Sequence, residues 1–140
     1  MQSPVLFLIF NRPDTTERVF DAIRAARPKR LYVAADGARS DRKGEAAKVD
    51  QAREIASQVD WDCDLTTWFR DENLGCRYGP TSGIDWFFEH ETEGIILEDD
   101  CLPDPSFFAY CDELLAHYRD EPRVMAVCGS SYLPAGAAVT

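Results

Sequence analysis

The stretch that decides the reading is residues 94–110, GIILEDDCLPDPSFFAY. Three apolar residues, Ile95, Ile96 and Leu97, stop abruptly at three carboxylates, Glu98, Asp99 and Asp100, and a helix signal begins at Pro105. A short apolar run of this kind is a buried strand. Acids at its mouth repel one another and are poorly hydrated, costs that a cation relieves. Hard divalent ions such as Mg²⁺ and Mn²⁺ take oxygen ligands, often one or two carboxylates completed by substrate phosphates. In an extended segment side chains alternate, so Glu98 and Asp100 share a face while Asp99 points the other way.

Outward from this corner the chain alternates strands and amphipathic helices. Residues 4–10, 30–35, 63–69, 94–97 and 123–128 read as five strands, the first two as continuous apolar runs covered on both faces. Residues 13–26, 45–59 and 80–91 read as helices, with a fourth starting at Pro105. Asp14 is expected to cap the first helix with Glu17 completing a capping box, and Asp104 to cap the last with Pro105 at its first position. Strands joined by helical crossovers imply an α/β fold, a Rossmann-like and mostly parallel sheet with helices on both faces. Ligands on such sheets bind at the carboxyl ends of the strands.

Bulk properties narrow the function. The 140 residues suit one domain, and 45% hydrophobic with 29% charged residues is ordinary globular composition. A net charge of −10 argues against nucleic acid as a partner. The longest apolar run, residues 5–10, is too short to cross a bilayer, and no signal-peptide pattern precedes the first strand. Five widely spaced cysteines without a CxxC read as reduced thiols, which points to a cytoplasmic protein.

The candidate residues fall where a strand-end site is expected. Asn11 and Arg12 follow the first strand, where a turn amide and a guanidinium suit a phosphate or a base edge, although Arg12 could equally pair with Asp14. Asp36 closes the second strand, as a turn residue or as an acceptor for a nucleobase imide. Arg77 lies in a glycine-flanked loop, Gly75 to Gly79, able to approach a diphosphate. For Asp99 and Asp100 metal or substrate binding is the better reading, because three acids after a core strand exceed what helix capping needs. His90 and His117 read as surface residues, and Trp61, Trp68 and Trp86 as packing.

Taken together, VLFLIFNRP, VAADGAR, NLGCRYG and ILEDDCLPDPSFFAYCDELL resemble the nucleotide-binding half of GT-A type glycosyltransferases, the N-acetylglucosaminyltransferase I-like branch and its bacterial relatives above all. The resemblance implies a metal-dependent, hexosyltransferase-like enzyme acting on a nucleotide sugar, UDP-linked in preference to GDP-linked. By that likeness the DXD motif is Glu98-Asp99-Asp100. Asp100 binds Mn²⁺ or Mg²⁺, while Glu98 and Asp99 contact ribose or sugar hydroxyls. Phe10, Asn11 and Arg12 flank base and ribose, Asp36 bonds the uracil ring, and Arg77 faces the diphosphate. Residues 1–128 are expected to form the donor-binding domain, and 129–140 a tail or the start of an acceptor-binding half. The acceptor could be glycan, protein or lipid, and no residue is singled out as general base.

Two other readings remain open. One is a non-catalytic nucleotide-binding module working with a partner chain. The other is a phospho-receiver domain, matching in length and alternation, although Asn11-Arg12 and Gly129-Ser130 stand where receivers carry an acidic pair and a lysine. An open sheet edge predicts a homodimer.

Overall fold

In the computed structural model, residues 1–130 are described. Eight elements follow in order: β1 (Val5–Ile9), α1 (Pro13–Ala26), β2 (Arg30–Ala35), α2 (Glu45–Ala56), β3 (Asp64–Phe69), α3 (Gly75–Phe88), β4 (Ile95–Glu98) and α4 (Phe107–Tyr118). The strands form one all-parallel sheet in the order β3-β2-β1-β4. This is the 3-2-1-4 arrangement of Rossmann folds, not the 2-1-3-4 arrangement of flavodoxin-like folds, to which receiver domains belong. The strand order thus reverses between β1 and β4. That switch point is flanked by Asn11 and Arg12 on one side and the acidic corner on the other.

Period-two alternation assigns the core. Val5, Phe7 and Ile9 of β1 join Leu31, Val33, Ile95 and Leu97 in a cluster with Val19, Phe20 and Ile23 of α1, Ala52 and Ala56 of α2, and Phe108 and Cys111 of α4. Leu6 and Leu8 face the opposite way and pack with Tyr32, Ala34 and Phe87 of α3. Three helices therefore cover one face and α3 the other. Each fully buried side chain of this size stabilises the fold by about 1.5–3 kcal/mol relative to exposure. The close seating of α3 depends on Gly83. A Cβ there would lie 2.8 Å from Leu8 Cδ2 and 3.2 Å from Ala34 Cβ.

Several expected boundaries shift. Arg12, not Asp14, occupies the N-cap of α1, with no side-chain cap, and Pro13 supplies the missing-donor position. Thr16 Oγ1 instead donates back to the Arg12 carbonyl at 2.8 Å. Helix α3 begins at Gly75 rather than Pro80, which lies inside it. The proline leaves the Cys76 carbonyl without its usual amide donor, a cost tolerated close to a helix start. Helix α4 begins at Phe107 with Ser106 at its N-cap. Asp104 forms a local turn before it, accepting the Ser106 amide at 2.9 Å.

The fifth strand does not form. Residues 123–128 carry no strand pairing, and Met125 is 96% exposed. The Cys128 carbonyl accepts a hydrogen bond from the Tyr110 hydroxyl at 3.4 Å, so this segment runs along α4. A strand of this composition needs cover on both faces. Among the described residues no helix follows it to supply the second. Of the expected tail, residues 131–140 lie outside the described residues.

Candidate functional site

The carboxyl ends of all four strands open on one cleft of about 510 Å³. Its wall carries Phe10, Asn11 and Arg12 after β1, Asp36 and Arg39 after β2, Arg70 and Asn73 after β3, and Glu98 at the end of β4 with Asp99 and Asp100 after it. Neighbouring strands lie about 4.8 Å apart, so the floor spans roughly 14 Å from Arg70 at one end to the acids at the other.

At the acidic corner the expected alternation holds. Asp99 is buried, whereas Glu98 and Asp100 are exposed. Asp99 Oδ2 accepts the Phe10 amide at 3.0 Å, and its Oδ1 lies 3.6 Å from the Arg12 guanidinium. Burial raises the Asp99 pKa, against the opposing pull of the Phe10 amide and Arg12. Arg12 also donates to Asp100 Oδ2, and this hydrogen bond, reinforced by Asp99, raises the arginine's own pKa. Asp99 therefore ties the end of β4 to the end of β1 while also lining the cleft. Arg12 pairs with Asp99 and Asp100, not with Asp14.

Asp36 holds the far wall. Its carboxylate accepts from the Gly37 amide at 3.1 Å, the Asn73 side-chain amide at 3.1 Å, and the Leu74 and Gly75 amides at 2.9 Å each. Those four donors fill the lone-pair positions of a carboxylate. Asp36 thus caps α3 across the cleft wall, with its oxygens committed to donors of the chain itself.

Four residues not singled out in the sequence shape the same region. Buried Glu45, at the start of α2, accepts from Asn11 Nδ2 at 2.8 Å and from the Arg39 amide at 2.8 Å. The Arg39 guanidinium grips the same carboxylate and holds its pKa down at about 2. Arg39 in turn lies 5.6 Å from the centroid of the Phe10 ring. Asn11 is thereby fixed as a wall residue, and Phe10 is backed by a cation. Arg70 lies 4.0 Å over the Trp68 ring and donates to Ser82 Oγ at 2.7 Å, without a carboxylate partner among the described ion pairs. Burial lowers its pKa. Arg53, from α2, bonds the Asp36 and Arg70 carbonyls at 3.2 and 2.6 Å and clamps the ends of β2 and β3 together.

Arg77 is placed elsewhere. It is exposed, sits 5.4 Å from the Tyr78 ring and does not line the cleft. The cleft is lined instead by Arg70, just before that glycine-flanked segment.

Among the described residues no group of three or more histidine, cysteine, aspartate or glutamate side chains is arranged to hold a metal. Asp100 and its neighbour on the same face, Glu98, offer one or two carboxylates open to the cleft. That set suits Mg²⁺ or Mn²⁺ with water, or a ligand's phosphates and water, completing the coordination shell. No helix among the described residues is long and apolar enough to cross a membrane.

No protein-family model matches the chain, and none of the curated proteins is measurably similar to it. What the cleft can hold is therefore read from its own geometry.

Proposed function

We propose that the chain is the donor-binding part of a metal-dependent glycosyltransferase, taking a nucleoside-diphosphate sugar, UDP-linked by preference. The observation that carries this reading is the meeting of Phe10, Asn11, Arg12, Glu98 and Asp100 in one strand-end cleft at the switch point of the sheet. Its volume, about 510 Å³, falls within the range of small-molecule sites. In this reading the base lies by Phe10 and Asn11, with Arg39 behind the ring and Arg70 able to donate from the β3 side. Asp36 acts as a positioning residue, holding α3 and the backbone around the base. Asp100, with Glu98 beside it, would hold Mn²⁺ or Mg²⁺ against the diphosphate. A bound divalent ion supplies Lewis-acid neutralisation of the charge that develops on a departing nucleoside diphosphate.

Equilibrium dialysis of UDP, GDP and UDP-sugars, with Mn²⁺, Mg²⁺ or EDTA, tests the proposal. Uridine-selective binding that disappears in EDTA is expected. Equal retention in EDTA, or none with any nucleotide by folded protein, would contradict it.

A second reading, a nucleotide-binding module without turnover of its own, is favoured by one feature. Asp36 and Asp99 are both engaged internally, and Glu98 and Asp100 are assigned to donor and metal. Among the described residues the cleft thus keeps no carboxylate or histidine for activating an acceptor. Metal-dependent UDP binding without transfer or donor hydrolysis would select this reading.

A further inference from the structure

We propose that Arg12 is a built-in counter-ion for the metal site. It holds Asp100 until a nucleotide's phosphates arrive, so that metal and nucleotide load together. The inference rests on the donor-site reading for the identity of the nucleotide. The competition between guanidinium and metal is visible with metal alone.

The geometry puts one guanidinium against two of the three acids, hydrogen-bonded to Asp100 Oδ2 and 3.6 Å from Asp99 Oδ1. The other cleft arginines are occupied elsewhere, Arg39 by Glu45 and Arg70 by Trp68 and Ser82. The Phe10 amide anchors Asp99, so the ends of β1 and β4 that carry the pair are tied together. Arg12 and Asp100 are nevertheless half exposed, with side chains 54% and 45% accessible. Ion pairs of that exposure are weak and exchangeable. Such a pair biases the site without locking it.

The consequence is a reversal of sign. A bare divalent ion has to take Asp100 from Arg12, which then faces the cleft without an anion. A diphosphate entering with the ion gives Arg12 a new acidic partner, so the displaced guanidinium becomes a donor to the ligand. Removing Arg12 should therefore strengthen binding of metal alone and weaken binding of nucleotide in the presence of metal. A residue that only contacted nucleotide would show the second effect without the first.

The test measures free Mn²⁺ by electron paramagnetic resonance, and UDP affinity at saturating Mn²⁺, on wild type, Arg12→Gln, Arg12→Lys and Arg18→Gln. Circular dichroism and urea midpoints check folding. Arg18 is exposed on α1 and removes the same charge without touching the acids. Arg12→Gln is expected to bind Mn²⁺ alone about three- to tenfold more tightly and UDP more weakly, with Arg12→Lys between it and wild type. Unchanged, weaker or absent Mn²⁺ uptake by Arg12→Gln, with UDP binding to wild type intact, overturns the counter-ion role and leaves the donor reading standing. Equal tightening by Arg18→Gln also overturns it, by showing diffuse charge at work. Tighter Mn²⁺ uptake by Arg12→Gln with UDP silent in wild type upholds the competition and removes the donor reading instead.

Discussion

Asp36 Oδ2, at the end of β2, accepts the amide hydrogen of Gly75, the first residue of α3, at 2.9 Å. With the Leu74 amide on the same carboxylate, a residue 38 positions earlier caps the helix. The segment at the start of α3 has no side-chain cap of its own. The charge also faces the positive end of the helix dipole. The cleft wall and the helix start are therefore one structural unit.

Asp36→Ala should remove this cap and leave several amide donors unpaired. A loss of about 2–3 kcal/mol in urea denaturation is expected, with Asp36→Asn recovering part of it. Hydrogen exchange at residues 73–76 should accelerate well before global unfolding. Unchanged exchange there would mean that the cap carries no load.

The Glu45 carboxyl, held at about 2 against an ordinary 4.5, makes stability depend on acid in a defined window. A depressed carboxyl contributes fully above its unfolded pKa and loses that contribution as pH falls through the folded value. Stability should therefore decline between about pH 5 and pH 2. The part due to Glu45 is roughly 1–2 kcal/mol, after discounting for a partner, Arg39, that is partly exposed. Urea midpoints of Glu45→Gln across that range should vary less with pH than those of wild type. Parallel curves would remove Glu45 as the cause.

Arg70 and Arg77 make a paired comparison. Arg70→Met should weaken UDP binding about tenfold, since it removes a cleft donor that has no carboxylate partner. Arg77→Ala, outside the cleft, should change it less than about twofold. The opposite ranking in a calorimetric titration would place the ligand-facing cation on α3.

Much of the fold could be read from local pattern. The continuous apolar runs of β1 and β2, the stripe Val19, Phe20 and Ile23, and the acids closing β4 all report on neighbours a few residues away. Arg39 and Glu45 are not legible locally because their places at the cleft are set across the fold, by Phe10 and Asn11. Glu45 looks like an ordinary first-turn acid until Asn11, 34 residues earlier, is seen to bond it. Asp36 stands out in the sequence as a strand-end acid, but its amide donors do not, since they come from beyond β3. The expected fifth strand fails for the converse reason. Residues 124–128 have the composition of a buried strand, and composition does not say whether a second covering layer is present.

The most direct test of the central claim is a calorimetric titration of UDP into wild type and Asp100→Ala, each with and without Mn²⁺. Saturable binding is predicted only for wild type with Mn²⁺, with Asp100→Ala folded and silent. Equal binding by Asp100→Ala, or binding indifferent to Mn²⁺, would contradict a metal-bridged donor site at the end of β4.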